Sequence, residues 1–135
     1  MKKVLLLSAG IPCRAVIAET ILNKYIDKNL GIEFIGAGLE TNTKMNKNAI
    51  RLLESEGVDI ENLKPKVLSE VENENFDLVL TLCSHSKEIC PKFPRDVPTL
   101  HMEFPIIIPD DEMACKNLAS RVKNKIKPLI LKELF

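Results

Sequence analysis

The sequence has no excess of charge of either sign: Lys plus Arg and Asp plus Glu number 19 each, for a formal net charge of zero. Nucleic acids and polybasic membrane contacts need a positive field, so this balance argues against both as partners. A local positive site for a small anion remains compatible with it. Long apolar runs are also missing. Met1-Lys2-Lys3 followed by Val4-Leu5-Leu6-Leu7 has the charge order of a signal peptide, yet the run is only four residues long before Ser8. An h-region needs about 7–15 residues and a membrane span about 20. No membrane segment is therefore expected, and the start reads as a buried strand of a cytoplasmic protein. In that compartment the four cysteines, Cys13, Cys83, Cys90 and Cys115, are mostly reduced thiols. No two of them form a C-x2-C pair, so no structural metal is expected, and no cofactor either. Internal repeats, linkers and low-complexity stretches are absent as well, which leaves residues 1–135 as one domain.

What is present is an ordinary globular balance, 45% apolar and 28% charged, arranged as alternating strands and helices. Lys3 to Leu7 reads as a buried central strand and Cys13 to Lys28 as a helix, with Val16, Ile17, Ile21, Leu22 and Tyr25 at helical spacing. Pro12 precedes that helix where a missing N–H costs little. Ile32 to Ala37 reads as a second strand. Asn46 to Gly57 reads as a helix burying Ala49, Ile50, Leu52 and Leu53, with Gly57 as its C-cap. Pro65 to Asn73 reads as a short helix, Phe76 to Leu82 as a buried strand and Val97 to His101 as a short one. Met113 to Phe135 reads as a closing helix strained near Pro128. Such alternation favours parallel pairing with right-handed crossovers. The expectation is a three-layer α/β/α fold with a four-stranded parallel sheet in the order 2-1-3-4. Its winding reverses at strand 1, and ligands bind beyond the carboxyl ends of such strands.

Topology therefore points to Ser8-Ala9-Gly10-Ile11-Pro12-Cys13-Arg14. Backbone N–H groups converge where a strand enters a helix, the helix dipole adds partial positive charge, and an arginine can clamp an oxyanion with two parallel bonds. The plain alternative is a tight turn with a surface arginine.

The wider sequence resembles the low-molecular-weight protein tyrosine phosphatases, and more closely their thioredoxin-coupled arsenate reductase branch. The family places Cys-x5-Arg after strand 1, typically C-T-G-N-S-C-R-S-x-x-A-E; Ser8 to Glu19 reads S-A-G-I-P-C-R-A-V-I-A-E. Gly36 to Thr41 is similar to S-A-G-x-E-T, and Asn46 to Ile60 to N-P-K-A-I-x-x-M-x-x-x-G-I-D-I. Asp77 to Pro91, DLVLTLCSHSKEICP, is similar to D-L-V-V-T-L-C-S-x-A-x-x-x-C-P, the reductase-specific part. Ile108-Pro109-Asp110 is similar to the I-P-D-P acid loop. The resemblance implies oxyanion binding by Ala9, Gly10, Ile11, Pro12, Cys13 and Arg14. It further implies Asp110 as general acid, Cys83 and Cys90 as relay cysteines, and arsenate, phosphate or sulfate with thioredoxin as partners. Anchoring on Phe104 instead would put Pro105 in the acid position; Asp110 is preferred because Ile-Pro-Asp repeats the motif.

The departures concern chemistry. Ser8 stands at the nucleophile position, Ile11 replaces a bracing asparagine, Ala15 replaces a Ser or Thr that stabilises the thiolate, and Asp111 replaces a proline. A cysteine in an amide nest beside an arginine ionises readily, whereas a serine hydroxyl needs a base, and none is close in sequence. Reduction of arsenate draws its electrons from sulfur, which oxygen cannot replace. Ser8 is either natural or a substitution made to trap a ligand; the changes at Ile11 and Ala15 favour natural divergence. Three functions stay open: an arsenate reductase or phosphatase relative retaining Arg14 and Asp110, an inactive oxyanion-binding module, and a thiol protein binding arsenite or a soft metal through Cys13, Cys83 and Cys90. Cys13 also reads as a small core residue, Cys115 as structural or exposed, His85 as a surface residue and His101 as satisfied in the core or at the rim.

Overall fold

In chain order the elements are β1 (Lys2–Leu7), α1 (Cys13–Tyr25), a 3-10 turn (Lys28–Leu30), β2 (Ile32–Gly38), α2 (Lys47–Ser55), β3 (Lys66–Val67), α3 (Leu68–Val71), β4 (Leu78–Thr81), β5 (Thr99–His101), α4 (Glu112–Arg121), a π-helical turn (Val122–Ile126) and α5 (Lys127–Leu134). The structure is a computed structural model and describes residues 2–9, 13–39, 47–58, 66–84, 91–104 and 112–135. The sheet order is β3-β2-β1-β4-β5, and every pairing among the described residues is parallel. The expected four strands are present in the expected order. A fifth, β3, extends the β2 edge by two residues through Ala37↔Lys66 and Gly38↔Val67. It occupies part of the segment expected to be helical, whose helix is confined to Leu68–Val71.

β1 is central because both its faces are apolar. Val4 and Leu6 join a core with α1 and the closing helices, while Leu5 and Leu7 join a second core with Val71, Phe76 and Val79. Val4 to Leu7 are fully buried, as a strand segment covered on both faces must be. The approach of α1 to β2 is set by Gly36, where a Cβ would lie 2.7 Å from the Ala15 carbonyl oxygen. The Gly36 N–H also donates to Glu19 Oε1 at 3.2 Å, and burial pushes the Glu19 carboxyl above its ordinary range.

α2 ends as the sequence expects. Gly57 takes φ +79°, its N–H donates to Glu54 O at 2.9 Å and the Val58 N–H to Leu53 O at 3.1 Å, a Schellman closure. α1 stops earlier than its periodicity implies, at Tyr25, which is 39% exposed instead of buried. Its hydroxyl bonds Glu56, which also receives Lys24 and, at 2.7 Å, Lys123. The Tyr25 ring lies under both ammonium groups. This cluster ties α1, the end of α2 and the π-helical turn, and the Lys123 and Tyr25 hydrogen bonds draw the Glu56 carboxyl down to about 2. Pro128 cannot donate to the turn before it; the closing helix widens there into the π-helical turn instead of breaking. Among the described residues no helix is long and apolar enough to cross a membrane.

Two outcomes follow. Gly36→Ala will cost about 2 kcal/mol in urea unfolding, because the helix backbone, not a flexible side chain, meets the new methyl. Glu56 has a folded pKa below its ordinary 4.5, so its contribution is present above that value and is lost as pH falls towards about 2. With partly exposed lysines as partners, Glu56→Gln will cost about 1 kcal/mol at neutral pH. The gap between the two proteins will close on acidification, read from unfolding midpoints across pH.

Candidate functional site

The carboxyl ends of β1, β4 and β5 and the amino end of α1 meet at one place in the sheet. β1 keeps its ladder to its last residue on both sides: the Ser8 N–H donates to Ala37 O at 3.1 Å and the Leu82 N–H to Leu7 O at 2.8 Å. Ser8 is therefore held on rigid sheet at the strand end. It is fully buried, and its Oγ is the buried side-chain oxygen without a hydrogen-bond partner among the described residues. A buried hydroxyl left unpaired costs roughly 1–3 kcal/mol, and such groups collect where function requires them.

Arg14, in the first turn of α1, is 3% exposed. Its Nη2 donates to Ala9 O at 3.2 Å and its Nη1 to Phe104 O at 3.1 Å. The surface arginine of the plain alternative is thus excluded; the guanidinium lies inside, across the gap between the loop after β1 and the segment after β5. That segment is fixed twice more. The Phe104 N–H donates to Cys83 O at 3.3 Å, and Arg121 Nη1 donates to Glu103 O at 3.1 Å with its guanidinium 5.1 Å from the Phe104 ring. Around the strand ends the chemistry is therefore that of donors: a positive guanidinium, a neutral hydroxyl, and the amide end of a helix whose first-turn N–H groups have no acceptor within the helix.

Ser8, Ala9 and Arg14 are thus brought together. Cys13 opens α1, is half-buried against the main core and carries no disulfide, which agrees with a small core residue at a helix start. Ala15 is fully buried. Gly10, Ile11, Pro12, His85, Cys90, Asp110 and Asp111 lie outside the described residues. Cys83 is fully buried just past β4 and is disulfide-bonded. Cys115 is buried in the core and carries no disulfide. Among the described residues no three His, Cys, Asp or Glu side chains gather as metal ligands, and Cys13 and Cys83 do not form part of such a group. His101 is exposed at the rim, its Nδ1 2.7 Å from Thr81 Oγ1. Sequence reasoning missed Phe104 as an Arg14 partner, because it contributes a backbone carbonyl, which every residue possesses.

The description "low molecular weight phosphotyrosine protein phosphatase" belongs to the family model that matches residues 3–103, a stretch that includes Ser8, Arg14, Cys83 and Cys90 and stops short of Asp110. An arsenate reductase of Bacillus cereus (strain AH187) is 34% identical over 103 residues, 76% of this chain and 75% of the relative. Among solved structures, the arsenate reductase from Archaeoglobus fulgidus DSM 4304 matches with a TM-score of 0.79 at 25% identity, over 94% of this chain and 98% of that one. An arsenate reductase in the phosphate-binding state matches with a TM-score of 0.75 at 22% identity, over 98% of both chains.

Replacing Arg14 by lysine will keep a charge but lose the fork that spans two carbonyls. The expected cost in chemical unfolding is about 2 kcal/mol. Arg121→Lys, at an exposed position, will cost about 0.5 kcal/mol or less.

Proposed function

Since this chain belongs to the low molecular weight phosphotyrosine protein phosphatase family, we propose that it is an oxyanion-binding member of the arsenate reductase branch in which Ser8 does not carry the family's thiolate step. The ligand is arsenate or phosphate, taken between Arg14 and the amides of residues 9 to 14. The observation that supports this most is the pairing of a rigidly held, fully buried Ser8 hydroxyl with a buried Arg14 at the end of β1. The relative solved in its phosphate-binding state supports the same class of ligand.

The chemistry of oxygen decides the second half of the reading. A thiolate attacks arsenic and a water leaves. A second thiol then attacks that sulfur, and the S–As bond breaks with its electron pair going to arsenic. Arsenite leaves while the protein keeps a disulfide, the two sulfurs having supplied the two electrons. A serine ester of arsenate can only exchange back with water, since its oxygen gives up no electrons. Phosphoryl transfer to Ser8 would need a base to remove a proton that a thiol in such a loop has already lost. Asp110, as general acid, would protonate a leaving oxygen, but its service is idle without the first attack.

A redox function at the other strand end is favoured separately by the disulfide on Cys83. In this reading Cys83 and Cys90 are the retained relay pair, and a thioredoxin-class dithiol in the cytoplasm passes two electrons and two protons to their disulfide, becoming a disulfide itself. Relay cysteines beside a lost nucleophile indicate recent loss of reductase turnover or a thiol function of their own.

The test is a thioredoxin-coupled arsenate assay together with a phosphatase assay, on the native chain and on Ser8→Cys. The native chain is expected to show neither turnover, while arsenate or phosphate at tens of millimolar raises its melting temperature and fails to do so in Arg14→Ala. Thioredoxin-dependent reduction by the native chain would overturn the reading and move the nucleophile to Cys13. Ser8→Cys is expected to recover only part of a reductase's activity, because the side chains of Ala15 and Ile11 lack the hydroxyl and carboxamide that support the thiolate in the family.

A further inference from the structure

We propose that Ser8 is a specificity-determining residue: its neutral hydroxyl donates to the bound oxyanion, so the site captures a tetrahedral dianion reversibly where a cysteine would repel it and react. This rests on the oxyanion-binding reading above and adds to it a role for the one residue that removes catalysis.

The hydroxyl is fully buried, fixed by the β1 ladder, and lacks a partner among the described residues. The carbonyl of the next residue, Ala9, is already engaged by Arg14 Nη2, and α1 begins five residues after Ser8, at Cys13. A serine O–H in that place needs an acceptor that the protein has not supplied, and an oxyanion beside Arg14 supplies one. Hydrogen bonds from a neutral donor to an ionised acceptor are among the stronger ones.

Charge gives the second half of the argument. In a loop at a helix amino end beside an arginine, a cysteine is a thiolate at neutral pH. It carries a negative charge at the centre of the anion site and opposes a dianion there. Ser8 stays protonated through the same range. The described groups at this position, hydroxyl, guanidinium and amide end, then all act as donors, and a dianion gains from each of them. Substitution of sulfur by oxygen thus weakens reaction and strengthens binding in one change.

The experiment is isothermal titration of inorganic phosphate and of arsenate into the native chain, Ser8→Ala, Ser8→Cys and Arg14→Ala, between about pH 6 and pH 9, with melting temperatures of the anion-free proteins. Ser8→Ala is expected to bind roughly 10-fold more weakly, while its anion-free form melts at or above the native temperature because the orphaned hydroxyl is gone. Ser8→Cys, whose thiolate is formed by neutral pH, is expected to bind several-fold more weakly than the native chain from about pH 7 upward. Native-like affinity in Ser8→Ala, or a Ser8→Cys protein that binds as tightly as native across that range, overturns this inference and leaves the oxyanion reading standing. Absence of binding by the native chain, or binding unchanged in Arg14→Ala, overturns the oxyanion reading and this one with it.

Discussion

Arg14 is a cation placed in the interior at the end of the central strand, and a buried charge is tolerated only where hydrogen bonds replace its water. Two of its N–H groups go to the carbonyls of Ala9 and Phe104, five residues and ninety residues away in the chain. That requirement holds the loop after β1 against the segment after β5. The same segment reaches Cys83 through the Phe104 amide and α4 through Arg121. The parallel order of the sheet brings these strand ends to one side, and Arg14 holds them in register there.

Scaffold and chemistry separate cleanly at Ser8. The ladder that positions residue 8 is made by backbone groups of Ser8, Ala37, Leu7 and Leu82, and is indifferent to whether the side chain ends in sulfur or oxygen. The family's architecture is therefore compatible with either atom at residue 8. Fold membership carries the geometry of the strand ends, whereas a reaction depends on atoms at individual positions.

The cysteines illustrate how one residue type takes different parts within one fold. Cys115 faces the core between α1 and the closing helices and behaves as a small apolar residue. Cys13 packs against the edge of the same core at the start of α1. Cys83, past the end of β4 and buried beside the site, is oxidised to a disulfide. Its carbonyl, just past the end of β4, accepts from the Phe104 N–H and so ties this position to the segment after β5.

Much of this was legible along the chain. Val4 to Leu7 has no polar face, so it had to be a strand covered on both sides, and the strand–helix alternation around it implied parallel pairing. The six-residue step from Ser8 to Arg14 marked two side chains that the fold buries at the end of β1. The two-residue β3 was not legible, because it exists only by pairing Lys66 and Val67 with Ala37 and Gly38, and backbone pairing leaves no mark in side-chain pattern. Nor was the exposure of Tyr25, whose helical spacing fits a core but whose hydroxyl is drawn outward to Glu56 and two lysines from distant elements. What local chemistry specifies, periodicity, turn glycines and charge, the sequence determined by itself. Which carbonyls receive Arg14, and that the Ser8 hydroxyl is left without one, only the tertiary structure decided, since both depend on backbone atoms brought together from opposite ends of the chain.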